Sequence, residues 1–173
     1  RERFKALPLI VEDLGAMTRE VEKLRDQFML PGLRVLEFGL ESMDDKSYHM
    51  PGQYPERAIA YTGTHDNNTF RGWFQTRTLY GKTAREVARI HSFALRHLQA
   101  DKKSVTSHAV SAVLRSKANL AIIPMQDLLD LPGTARLNTP GTRKHNWEWR
   151  LTGHELTDAL KEHLHAETKK AKR

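Results

Sequence analysis

Four short apolar runs, each stopping at a cluster of acidic and amide residues, restrict the possible folds of this chain more than any other feature. Pro8-Leu9-Ile10-Val11 ends at Glu12-Asp13-Leu14-Gly15, and Leu33-Arg34-Val35-Leu36-Glu37-Phe38 passes into a polar loop that runs through Tyr54-Pro55. Ala58-Ile59-Ala60-Tyr61-Thr62-Gly63 ends at Thr64-His65-Asp66-Asn67-Asn68, and Leu120-Ala121-Ile122-Ile123 leads into Pro124-Met125-Gln126-Asp127. Apolar runs of this length between turn signals read as buried strands. Helical patterns separate them. Thr18 is an N-cap for a helix with Met17, Val21, Leu24 and Phe28 on one stripe, which Pro31-Gly32 terminates. A second helix is predicted over Ala84 to Gln99 with Val87, Ala88, His91, Ala94, Leu95 and Leu98 inward. A third is predicted near Ser107 to Lys117 and a last one from about Glu155 to Ala166. Strands alternating with helices predict an α/β fold with a parallel sheet. Polar residues gathered at the C-terminal ends of several strands are the layout of a barrel enzyme, and such a barrel needs eight strands where this chain offers four. The expectation is therefore part of a larger fold.

Composition narrows the function. The chain has 173 residues and 39% hydrophobic residues, enough for a real core. It has no cysteine, which excludes disulfides, thiolate metal sites and a cysteine nucleophile and fits a cytoplasmic setting. No signal-peptide pattern opens it, and no apolar run approaches the ~18 residues that span a bilayer, so no membrane partner is expected. Part of the net charge of +7 sits in Lys169-Lys170-Ala171-Lys172-Arg173. Aromatic residues are not interleaved with the basic ones as nucleic-acid stacking requires, so no nucleic-acid partner is expected either. Glycine-rich phosphate loops and the Gly-x-Ser-x-Gly elbow are absent, and no cofactor is expected.

Glu12 and Asp66, 54 residues apart, each follow an apolar run and could face one mouth. Paired carboxylates there suit glycosyl transfer, in which one group protonates a leaving oxygen and another stabilises a cationic sugar. Spacing by itself equally allows, and rather favours, a structural reading: Glu12 against a helix dipole and Asp66 in an Asx-turn. Strand alternation forbids Glu12 and Asp13 from entering the mouth together, without saying which one does. The adjacent pair His65-Asp66 would need further histidines to hold a metal, and no two precede it, so no metal site is expected. Trp73-Phe74, Trp147 and Trp149 could stack on sugar rings, but core packing is the commoner use of such residues.

Six segments stand in an order that resembles one family. They are Val11 to Gly15, Leu30 to Leu36, Tyr61 to Asn67, Pro124 to Leu129, Ala135 to Thr142, and Asn146-Trp147-Glu148-Trp149-Arg150. The chain resembles the amylomaltase type of 4-alpha-glucanotransferase, glycoside hydrolase family seventy-seven, from about Leu9 to Leu151. The resemblance implies the C-terminal half of a (β/α)8 barrel of the alpha-amylase clan, strands five to eight. Residues 1–153 would form that barrel portion and 154–173 a C-terminal helix and basic tail. By matched motif it implies Glu12 as acid/base, Asp66 as the carboxylate that stabilises the transition state, and His65 and Asn138 as substrate-binding residues. The implied reaction is retaining transfer of α-1,4-glucan segments between maltodextrins. The family's nucleophilic Asp belongs to the preceding strand, and strands one to four with that nucleophile are expected to lie outside this chain. The site would need that N-terminal half, and the chain alone is expected to be inactive. The alternative is an inactive half-barrel acting only as an interaction module. Two departures stand near the implied sugar subsites: Pro51-Gly52-Gln53-Tyr54 for Pro-His-Asn-Tyr, and Glu37-Phe38-Gly39-Leu40-Glu41 for Gln-Phe-Ala-Phe-Asp.

Overall fold

The computed structural model describes residues 9–15 and 17–173. Three parallel strands, β1 (Gly32–Val35), β2 (Ala58–Tyr61) and β3 (Leu120–Ile122), form one sheet in that order, with Leu33 opposite Ile59 and Ala60 opposite Ala121. Helix α1 (Arg19–Gln27) precedes β1, and α2 (Leu36–Ser42) follows it directly. Helices α3 (Phe70–Gln75), α4 (Ala84–Leu98) and α5 (Val105–Leu114) lie between β2 and β3, and α6 (Met125–Leu128) and α7 (Asp158–Lys170) come after. The parallel α/β architecture is the one the sequence pattern predicts.

Local chemistry sets the helix starts. Thr18 and Thr157 each accept a hydrogen bond from a first-turn amide, and Thr83 with Glu86 forms a reciprocal capping box at the head of α4. Helix α4 buries Val87, Ile90, Ala94 and Leu98, one face at spacings of three and four. Ile90 belongs to that face, whereas Ala88, expected inward, is exposed. The core lies between the sheet and α2, α4 and α5, around Leu36, Leu40, Phe70, Ile90 and Val113. Trp73 belongs to it, with its indole donating to Glu41 Oε1 at 2.9 Å, so it is a packing residue of α3.

Two strand expectations are corrected. The described part of the first run, Leu9 to Val11, is neither strand nor helix; β1 pairs only with β2, and the Val11 amide reaches a single acceptor, Pro31 O, at 3.0 Å. A strand needs a neighbour along its length, and this run has none among the described residues. The second run is strand only to Val35. From Leu36 the chain coils into α2, where Leu36, Glu37, Gly39 and Leu40 are all buried, because the Glu37 amide turns to donate to Thr62 O at the end of β2 (3.1 Å). Gly39 permits that packing: a Cβ there would come within 2.5 Å of the His49 carbonyl oxygen.

Apolar side chains line the outer margins. Leu9 and Ile10, the α1 stripe of Val21, Leu24 and Phe28, and Leu120 and Ile122 of β3 are all exposed. The α1 stripe thus forms at the predicted spacing but faces away from the core. Helix α7 docks on α5, where Ser111 Oγ donates to Glu167 Oε2 at 2.6 Å and Arg115 and Lys170 flank the same carboxylate. The Arg173 guanidinium extends this seam to the carbonyl oxygens of Leu114, Ser116 and Ala118.

Candidate active site

The neighbours Glu12 and Asp13 have separate fates. Asp13 is buried and accepts from the Leu33 amide at 2.6 Å, from Arg25 at 2.7 Å and from Arg34 at 3.2 Å. Burial works against its charge, but Arg25, the Leu33 amide and Arg34 outweigh it and hold the carboxyl below its usual range. With its oxygens committed to β1 and α1, Asp13 is a structural tie. Glu12 is exposed and lines a cleft of about 670 Å³ together with Leu14, Phe38, Tyr61, His65 and Asp66.

The loop after β2 carries His65 and Asp66 to that cleft. Asn67 makes the turn, its Oδ1 accepting from both the amide and the hydroxyl of Thr64 at 2.9 Å. The Asp66 carboxylate therefore is not what closes the turn. Its Oδ1 accepts from Asn138 Nδ2 at 2.5 Å and stands 3.2 Å from His65 Nε2, with both side chains about half exposed. Arg136 ties the two segments together, donating to Asp66 O at 2.5 Å and to Asn138 O at 2.8 Å. The His65 ring lies 5.1 Å from that of Trp147, which is half exposed and held at φ 64°. A Trp at positive φ is uncommon; here its amide is committed to Leu137 O at 2.7 Å. Of the four candidate site residues, Glu12, His65 and Asp66 thus share one cleft, and Asn138 meets them through Asp66.

Beneath the loop lie two more carboxyls. Asp127 of α6 accepts from Thr62 Oγ1 at 2.5 Å and from the Phe70 amide at 2.7 Å, bracketing the loop at both ends. Burial pushes it up to about 6, although the Phe70 amide and the Thr62 hydroxyl pull the other way. Glu37 is fully buried, with Oε2 accepting from Asn67 Nδ2 at 2.7 Å. Burial raises it well above the usual carboxylate range, and the charges of Asp127 and Glu41 add to burial while Asn67 and Arg136 oppose it. Among the described residues no three of His, Asp and Glu gather as a metal-ligand set.

Chemically, the cleft offers two solvent-accessible carboxylates and an imidazole. These groups can exchange protons with hydroxyl or ether oxygens and stabilise a developing positive charge. A family model described as 4-alpha-glucanotransferase, glycoside hydrolase family seventy-seven, matches residues 1–157. The chain belongs to that family. A 4-alpha-glucanotransferase of Thermus thermophilus is 38% identical over 165 residues, covering 91% of this chain and 31% of the relative. One from Aquifex aeolicus is 41% identical over 148 residues, covering 86% and 29%. The solved amylomaltase of Streptococcus agalactiae, in complex with acarbose, superposes with a TM-score of 0.88 at 31% identity, covering 99% of this chain and 33% of that one. The chain spans about a third of the length of the curated 4-alpha-glucanotransferases it matches.

Three residues that organise this site escape a reading by spacing. Arg136 stands inside the family segment Ala135 to Thr142, but nothing in its position announces a reach of 70 residues back to Asp66. Asn67 is adjacent to Asp66 and equally polar, so only the hydrogen bonds tell their roles apart. Glu37 is hidden by the misread strand, which gave it no reason to point at the loop after β2.

Proposed function

We propose that the protein carrying this chain is a 4-alpha-glucanotransferase that moves α-1,4-glucan segments between maltodextrins by retaining double displacement. The observation that carries this reading is the shared cleft of Glu12, His65 and Asp66. In this reading Glu12 protonates the departing glycosidic oxygen and later takes the proton of the incoming 4-hydroxyl. Asp66 holds sugar hydroxyls as charge develops at the anomeric carbon, which is where stronger binding lowers the barrier. His65 donates to the same sugar, and Asn138 keeps the Asp66 carboxylate oriented. The three strands, with the described segment before α1 in the place of a fourth, correspond in this reading to strands five to eight of a (β/α)8 barrel. The nucleophilic carboxylate comes from polypeptide outside these 173 residues, and a cytoplasmic or similarly reducing compartment suits the cysteine-free sequence. No helix among the described residues is long and apolar enough to cross a membrane.

Incubation with maltotriose tests the proposal. A polypeptide of the relatives' full length that includes this sequence should produce a ladder of shorter and longer glucans, and Glu12→Gln should lower the rate about 10²-fold or more. The 173-residue chain alone should give no ladder. Disproportionation by the 173 residues alone would overturn the placing of the nucleophile outside them, and a full-length Glu12→Gln variant of normal rate would overturn the role given to Glu12. The exposed Leu9, Ile10, Leu120 and Ile122 favour a second reading of the isolated chain, as a half-barrel that associates through its open margins. Sedimentation of a monodisperse monomer would count against it.

A further inference from the structure

We propose that Glu37 is a positioning residue for Asp66, acting through Asn67 rather than by touching substrate. The importance of Asp66 to catalysis rests on the function proposed above; the mechanical link between Glu37 and its loop does not.

The link has three steps. Glu37 sits in the first turn of α2, its backbone amide bonded to Thr62 O, so it is anchored to the end of β2 just where the loop begins. Its Oε2 accepts from Asn67 Nδ2 at 2.7 Å. An amide side chain can present either its oxygen or its nitrogen in a given direction, and an acceptor behind it settles the choice. With Nδ2 committed to Glu37, Oδ1 of Asn67 must face Thr64, where it accepts two hydrogen bonds. Thr64 Oγ1 in turn approaches the Asp66 amide at 3.3 Å, and the turn delivers Asp66 to Asn138 and Arg136. Without the Glu37 acceptor, Asn67 would be oriented by Thr64 alone, its Nδ2 would lose its partner, and the turn would lose its tie to α2.

Space enforces the same geometry. A Cβ added at Gly63 would lie 3.0 Å from both Glu37 Oε1 and Asn67 Cβ, so the loop passes against this pair with no room to spare. Glu37 Oε1 is buried without a hydrogen-bond partner among the described residues. That arrangement suits a neutral carboxyl far better than a charged one. The charged groups that act on Glu37 are Asp127 of α6, Glu41 on the next turn of α2, and Arg136, which is bonded to the Asp66 carbonyl. Asp127 and Glu41 disfavour its ionisation and Arg136 favours it. A neutral Glu37 has the shape of glutamine and can serve Asn67 as well.

Amide hydrogen exchange on the purified 173-residue chain tests the link without any appeal to activity. Glu37→Gln should leave exchange across Thr64 to Asn67 as in the parent. Glu37→Leu should speed it at least tenfold there while β2 and α4 keep their protection. If Glu37→Leu loosens the whole chain, Asn67→Ala, at a half-buried position, should show the same confined effect. Unaltered loop exchange in Glu37→Leu, or in Asn67→Ala where that variant is needed, overturns the proposal. In a full-length transferase the corresponding Glu37→Leu change should lower kcat on the order of 10-fold to 10²-fold with KM little altered, since small misplacements of a reacting group cost that much. Rescue by Glu37→Gln should restore it. A purely structural role would instead lower the amount of folded enzyme without altering its kcat. A full-length protein with no transferase activity, alongside the expected exchange pattern, would sink the function and leave the link standing.

Discussion

Replacing Asp127 with asparagine should make the chain more stable at neutral pH, and the gain should vanish in acid. In the folded chain the Asp127 carboxyl titrates at about 6 instead of 3.8, with burial as the main cause. A raised acid binds its proton more tightly in the folded state. Its favourable contribution is therefore complete below pH 3.8 and is lost as pH rises through about 6. The displacement of roughly two units corresponds to about 3 kcal/mol, an upper figure for a buried group. Asparagine keeps the shape of the neutral acid: its oxygen can accept from the Phe70 amide, and its nitrogen can donate to Thr62 Oγ1. The variant should then match the parent near pH 4 and exceed it by up to about 3 kcal/mol at pH 7. With urea slopes of about 1–3 kcal/mol per molar, that is a midpoint shift of roughly 1 M or more. Urea unfolding of both proteins at pH 4, 5, 6 and 7 gives the comparison; their difference isolates Asp127 together with the easing of Glu37, whose ionisation the Asp127 charge opposes. Parallel curves, with a gap independent of pH, would refute the reasoning.

Asp13→Ala should cost about 3–5 kcal/mol, because it strands the buried Arg34 guanidinium beside Tyr48 without its carboxylate; a loss below about 1 kcal/mol in urea unfolding would show that Arg34 finds water instead. His49, which accepts from the Val35 amide through Nδ1, is pushed down to about 4 by burial and by Arg34. Its contribution is thus present above pH 6.5 and lost as pH falls toward 4, and the imidazole NMR shifts should titrate near 4; a midpoint near 6.5 would contradict this.

The sequence is most legible where one period governs many residues. The α4 face and the parallel β2 and β3 follow from apolar spacing and run length, and the cap of α1 follows from the Thr18 hydroxyl. It is least legible where a neighbour outside the segment decides the outcome. Leu33 to Phe38 is a short, largely apolar run that suits a strand, yet the core claims Leu36 and Leu40 together and coils the second half into α2. The run before Glu12 has strand composition but no strand beside it among the described residues. At the site, motif order led to Glu12, His65, Asp66 and Asn138, and the structure brings them together. The supporting Arg136, Asn67 and Glu37 are tied by bonds that cross 70 and 30 residues, distances over which no local pattern speaks.

The division of labour between Glu12 and Asp13 bears on how this loop can change in evolution. Surface loops usually tolerate insertions and deletions. Here the three donors around Asp13 fix the phase of the chain, so that the residue before it is the one presented to the cleft. Inserting a single residue between the two would leave the anchor in place and put a different side chain at the mouth. A one-codon insertion here would therefore move Glu12 out of the cleft while leaving the Asp13 anchor intact.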